Sequence, residues 1–229
     1  MTAPASLGWW ADGERHLGAA LGRLTDQEFG GPSLLPGWSR ATVLAHLAGN
    51  ADALVNLLTW ARTGVETPMY PSREARDAGI AERAELPPLE LREEVLASSA
   101  RLAAAVQKLP AAAWAAEVRT AQGRSVPAAE IPWMRSREVW VHAVDLDAGV
   151  GFDDAPDDVL GALVDDVFRM WDRRTEMPAV TVLAGGRAWG AGPVAVSGSL
   201  AAVAGWVTGR TVGAGLDADE RLPDLPAWL

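Results

Sequence analysis

Three histidines and no cysteine limit the chemistry open to this 229-residue chain. Without cysteine there is no disulfide, no thiolate metal site and no protein-borne sulfur nucleophile. Metal ligands must then come from imidazoles and carboxylates. His46 sits in VLAHLAGN and His142 in SREVWVHAVDLD, two stretches with helical periodicity. Glu138 precedes His142 by four residues, which places a carboxylate and an imidazole on one helix face, a turn apart. If the two helices face each other in a bundle, His46, Glu138 and His142 form a two-nitrogen, one-oxygen set with an open fourth position. That is the arrangement of a catalytic zinc site, and facing bundle helices are a common way to build one. The same spacing also occurs as a plain i,i+4 helix contact, so spacing alone leaves both readings open. Asp145 and Asp147 are alternative ligands by type, and Asp145, three residues after His142, is placed to orient an imidazole instead. His16, beside Glu14 and Arg15, is read as having no role in the chemistry.

The elements that must position these groups are legible from periodicity and punctuation. Residues 5–24 read as a first helix with Leu7, Leu17, Leu21 and Leu24 on its apolar side. Residues 25–38 are rich in Gly and Pro and read as a loop, in which Thr25 and Glu28 have capping-box spacing. Ser39 is placed to cap a long helix running to about Ala61, striped by Val43, Leu44, Leu47, Leu54, Leu57 and Leu58. Residues 62–88 read as loop plus a short helix, and a third long helix covers 89–109 until Pro110 stops it. After the turn-rich 121–127, a fourth helix spans 128–148, with Pro132 marking either a start near Ile131 or a kink. The pattern then changes: a helix at 157–174, short β-branched runs at 179–185 and 193–198, a helix at 199–210 and a Pro-rich tail. Four helices followed by a mixed segment predict an α+β protein of two units, 1–152 and 153–229.

The net charge of −10 and pI near 4.8 argue against nucleic acid or an anionic membrane surface as partner. The same field repels a dianionic substrate, so such a substrate would need local arginines. No apolar run reaches the roughly 20 residues that cross a bilayer. The N-terminal MTAPASLGWW lacks a basic segment followed by an apolar one, so no signal peptide is expected and the expected compartment is the cytoplasm. Most of the eleven tryptophans, set against one tyrosine, are read as core and seam fillers; for Trp133 and Trp140, packing is the expected role and pocket lining the alternative.

The segments LLPGWSRATVLAHLAGNADALVNLLTWARTGVETPMY, TAQGRSVPAAEIPWMRSREVWVHAVDLD and VSGSLAAVAGWVTGR, with the closing PDLPAWL, resemble the mycothiol-dependent maleylpyruvate isomerases of the DinB-like metalloenzyme superfamily. The likeness runs in order along nearly the whole chain. It implies a DinB-like four-helix N-terminal bundle and a smaller C-terminal α/β domain similar to sterol carriers. It implies that His46, Glu138 and His142 bind Zn2+, and that Arg210, which ends the VTGR helix, is needed for activity. The chain does not depart from the family at these four positions, while 179–192 aligns less clearly and carries no site.

The implied reaction turns maleylpyruvate into fumarylpyruvate in gentisate breakdown. A thiol adds reversibly to the conjugated double bond, the resulting single bond rotates, and elimination leaves the trans isomer. Since the chain has no cysteine, mycothiol supplies the thiol and zinc lowers its pKa. Arg210 is the first candidate to hold a substrate carboxylate or stabilise enolate charge, in a site expected between the domains. Arg76 and Arg124 are further candidates for which a solvated surface role is the alternative. The partners are then a small dicarboxylate substrate and mycothiol, acting on a monomer. Two other readings remain: a mycothiol S-transferase that leaves a stable adduct, and an apolar-ligand carrier with the bundle as scaffold.

Overall fold

The computed structural model describes Pro4 and residues 6–228. The chain divides into two compact units, Met1–Gly149 and Val150–Leu229.

The first unit is built on α2 (Arg40–Thr63). Ser39 caps it, its hydroxyl accepting from the Thr42 N–H at 3.1 Å, and Gly64 ends it in the left-handed conformation. Apolar side chains line α2 on nearly every face, as expected of a helix surrounded by others. By length and composition α2 is apolar enough to cross a membrane, contrary to the expectation of no such run, but 78% of that apolar window is buried inside the protein. Around α2 pack α3 (Arg73–Ala84), α4 (Pro88–Gln107) and α5 (Ile131–Asp145), and α1 (Ser6–Arg23) lies along α5. The first helix was expected from residue 5, which lies outside the described residues.

Gly13 permits the close approach of α1 to α5: a β-carbon there would sit 2.5 Å from Val139 Cγ2. Pro132 lies in the first turn of α5, where its missing N–H costs nothing, so the helix starts at Ile131 without a kink. Residues 128–130 form a 3-10 turn rather than helix, and α5 ends at Asp145 rather than 148. The turn-rich 121–127 joins β1 (Glu117–Arg119) to β2 (Ser125–Pro127), a small antiparallel hairpin too short to announce itself by alternation.

One buried cation ties four helices together. Arg135 on α5 is fully buried. Its Nε donates to Glu14 of α1 at 2.8 Å, one terminal nitrogen to the Leu47 carbonyl and Asn50 of α2 at 2.8 and 3.1 Å, and the other to Ser99 of α4 at 3.0 Å. Ser99 and Trp10 in turn donate to Glu14 at 2.9 and 2.8 Å. The short helix α3 buries only Ile80 among its side chains and is held largely by charge. Arg83 reaches Asp52 of α2 at 2.9 Å and Glu94 of α4 at 3.7 Å.

The second unit packs α6 (Asp157–Arg174) and α7 (Leu200–Val207) with a four-stranded sheet of order β4-β3-β5-β6. Its strands are β3 (Val180–Ala184), β4 (Arg187–Gly190), β5 (Val194–Gly198) and β6 (Leu216–Ala218). Gly185 and Gly186, both at positive φ, make the tight β3–β4 turn. β3 and β5 pair in parallel, the other neighbours antiparallel. Val180, Val182 and Ala184 are buried while Leu183 is exposed, so one face of β3 is covered. Asp165 of α6 accepts from Arg187 and from Trp189 Nε1 of β4, pinning helix to sheet. The strands β4 and β6 were not anticipated from the sequence.

Replacing Arg135 with alanine leaves Glu14, Asn50, Ser99 and the Leu47 carbonyl without their shared donor. The expected loss in denaturant-unfolding free energy is roughly 3–5 kcal/mol, and a far smaller loss would show that the network holds no more than ordinary surface pairs.

Candidate metal centre

The clustering of His46, Glu138 and His142 follows from helix register. His46 lies near the start of α2, and Glu138 and His142 lie one turn apart on α5, which packs against α2. Glu138 Oε2 lies 2.9 Å from His46 Nε2 and 3.4 Å from His142 Nε2. The imidazole centroids are 4.9 Å apart with rings nearly perpendicular. The ligand-type atoms of the three residues all lie within 4.8 Å of one another, the one such cluster among the described residues. Their side chains are 9%, 12% and 13% exposed, so a ligand can reach them while bulk water is largely excluded.

This set fits a divalent metal. Ligand bonds of about 2.0–2.1 Å in tetrahedral zinc put neighbouring donors about 3.3 Å apart, close to the separations around Glu138. His142 Nδ1 donates to Asp145 at 2.7 Å, leaving Nε2 as the free lone pair. Asp145, fully buried, thus fixes the His142 ring and stands outside the three-residue cluster, the carboxylate–histidine arrangement typical of metal sites. Asp147 instead lies at positive φ, 62% exposed, with Arg40 at 3.5 Å. Trp38, from the loop before α2, stands edge-on to His46 at 5.7 Å.

The electrostatics keep the carboxylate ionised and shift the two imidazoles in opposite directions. Burial works against the Glu138 charge, but hydrogen bonds from His142 and His46 outweigh it and hold the carboxyl well below the usual range. Burial lowers the pKa of His46 despite its bond to Glu138. Burial also opposes protonation of His142, yet its bonds to Asp145 and Glu138 prevail and raise its pKa.

Three further groups stand at the cluster. Arg76, on α3, directs a terminal nitrogen to His46 Nδ1 at 3.4 Å. Arg137 Nε lies 3.9 Å from Glu138 Oε1. Tyr70, in the loop before α3, is close enough to Glu138 and Arg76 to feel both, and sequence reasoning missed it. Its only signal is that it is the single tyrosine in the chain. Arg124 is exposed in the β1–β2 turn. Trp133 packs edge-on to Trp9 at 5.9 Å, and Trp140 donates to the Trp9 carbonyl at 2.9 Å and stacks on His16 at 4.7 Å, so both tryptophans serve the α1–α5 seam.

Arg210 belongs to the second unit. It was expected to end a helix, but α7 stops at Val207 because Gly209 adopts the left-handed conformation, so Arg210 sits in the turn beyond. There its guanidinium donates to the Thr208 carbonyl at 2.7 Å and lies 6.0 Å from the Trp228 ring centroid.

A helical bundle gathering two imidazoles and a carboxylate from facing helices, followed by an α/β unit, defines the DinB-like fold class. Residues 10–147 match the mycothiol maleylpyruvate isomerase N-terminal domain, and the chain belongs to that family. A crystal structure of the mycothiol-dependent maleylpyruvate isomerase is 40% identical, with a TM-score of 0.95 over 100% of this chain and 98% of that one. The structure of a histidine-to-alanine mutant of that isomerase is likewise 40% identical over the same shares, with a TM-score of 0.94. No curated protein sequence matches the chain.

Metal binding requires both imidazoles unprotonated, so protons compete with the metal. His142, raised above the ordinary 6.5, takes up its proton first as pH falls, while Glu138 stays ionised. Zinc affinity, followed by chelator competition from pH 8 to 5, is therefore expected to begin falling above pH 6.5. In the same assay Asp145→Asn is expected to weaken binding about 10–100-fold. An affinity flat across that pH range would contradict histidine ligation.

Proposed function

We propose that the chain is a zinc- and mycothiol-dependent isomerase that converts maleylpyruvate to fumarylpyruvate in gentisate degradation, working as a monomer in the cytoplasm. The full-length likeness to a mycothiol-dependent maleylpyruvate isomerase carries this reading. It favours isomerisation over permanent attachment of the thiol to an electrophile. His46, Glu138 and His142 are the proposed zinc ligands.

Zinc held by His46, Glu138 and His142 would lower the pKa of a mycothiol thiol and so supply a nucleophile ionised near neutral pH. The protein's own residues have three tasks. Glu138 and the two histidines present a fixed donor set, with Asp145 holding the His142 tautomer. The low exposure of the cluster strengthens its electrostatic interactions. Arg210 is the proposed partner for the negative charge that collects on the substrate's ketone oxygen while the carbon–carbon bond is single, a task suited to guanidinium.

Zinc-loaded protein given maleylpyruvate is expected to form fumarylpyruvate only when mycothiol is present, with the thiol recovered unchanged. His142→Ala should abolish turnover together with zinc retention. Arg210→Ala should lower kcat/KM about a hundredfold with zinc retained. A stable mycothiol conjugate, or no turnover by folded zinc-loaded wild type, would reject the assignment.

A further inference from the structure

We propose that Arg76 and Tyr70 form an anion subsite beside the metal centre that holds a carboxylate of the substrate. This rests on the functional reading above only for the substrate's identity; the subsite itself is a property of α3 and the loop before it.

Tyr70 and Arg76 are delivered by well-anchored backbone. Asn56 of α2 donates to the carbonyls of Pro68 and Met69, both at 3.3 Å, and Met69 is buried, with its sulfur accepting from the Ala121 N–H at 3.2 Å. The chain then enters α3, capped by Ser72, whose hydroxyl accepts from the Ala75 N–H at 3.1 Å. Arg76 therefore emerges from the first turn of a helix fixed to α2 and α4 by Arg83. Its guanidinium lies 5.9 Å from the Tyr70 ring centroid. One terminal nitrogen contacts His46 Nδ1 at 3.4 Å, and the other pairs with Asp77 at 2.8 Å. The side chain is 29% exposed, and Asp77 is itself 53% exposed. The cation thus spans the distance between the ligand cluster and solvent, with its outer partner replaceable by a ligand carboxylate.

The inner contact points the same way. A neutral imidazole that binds a metal through Nε2 carries its proton on Nδ1. Arg76 then faces a donor, loses its acceptor on His46, and has a guanidinium N–H directed at the centre in need of an anion. Tyr70 offers a second donor. Burial and the Glu138 charge push its phenol up to about 12, although Arg76 pulls it down, so the hydroxyl keeps its proton at neutral pH. A guanidinium directed at the ligand cluster, with a tyrosine beside it, makes a carboxylate receptor. A chain of net charge −10 needs such a local cation to accept a dianion.

Maleate, a cis dicarboxylate without the ketone, is the probe. Its affinity for zinc-loaded protein would be measured by calorimetry for wild type, Arg76→Ala, Arg76→Lys and Tyr70→Phe, with zinc content and thermal midpoint recorded for each. Arg76→Ala is expected to weaken maleate binding at least tenfold with zinc content unchanged, Arg76→Lys to restore part of it, and Tyr70→Phe to weaken it severalfold. With maleylpyruvate the Arg76 variants should raise KM more than they lower kcat. Unchanged maleate affinity in Arg76→Ala, no maleate binding by zinc-loaded wild type, or loss of zinc in parallel with loss of maleate would each overturn the subsite. Arg76-dependent maleate binding by a wild type that fails to isomerise maleylpyruvate would support the subsite and reject the isomerase reading. Normal isomerisation with unaltered KM in Arg76→Ala would do the reverse.

Discussion

A guanidinium with no access to water must have nearly all its N–H groups satisfied, and Arg135 meets that demand by drawing four partners from three other helices. A charge in that position is costly unless the geometry around it is met closely. The constraint runs in both directions: Arg135 is stable only if α1, α2 and α4 stand at set distances from α5, and those distances fix the bundle. Glu138 and His142 lie three and seven residues further along the same helix, and the Leu47 carbonyl that Arg135 binds is adjacent to His46. The network that registers α5 against α2 therefore also registers the three ligand-type side chains.

The site above this network draws on two kinds of support. The imidazoles and Glu138 lie on the two best-packed helices, and Asp145 holds one ring from the last turn of α5. Arg76 and Tyr70 come from a loop and a helix that buries one side chain and is attached by ion pairs. In the second unit, Gly209 ends α7 and turns Arg210 out of the helix, so that its guanidinium meets a backbone carbonyl and the Trp228 ring rather than a helical neighbour.

The sequence by itself determined the long helices, since apolar periodicity over many residues and a capping serine, a following glycine or a following proline leave few alternatives. It also determined the pairing of Glu138 with His142, because an i,i+4 spacing on a helix is a local distance. The absence of cysteine settled that any thiol chemistry must use a cofactor. Resemblance along the chain then singled out His46 as the third member. What periodicity could not reach was anything set by contacts distant in sequence. The short strands β1, β2, β4 and β6 have too few residues to show alternation, and β4 and β6 exist because the sheet offers them partners. The α7 boundary turned on one glycine adopting positive φ. Only the tertiary structure decided that Asp145 bonds the His142 ring, that Asp147 faces solvent, that Arg135 is a hub, and that Arg76 and Tyr70 stand near His46 and Glu138. Each depends on which of several equivalent polar side chains is buried opposite which partner, and burial is a property of the assembled helices rather than of any one segment.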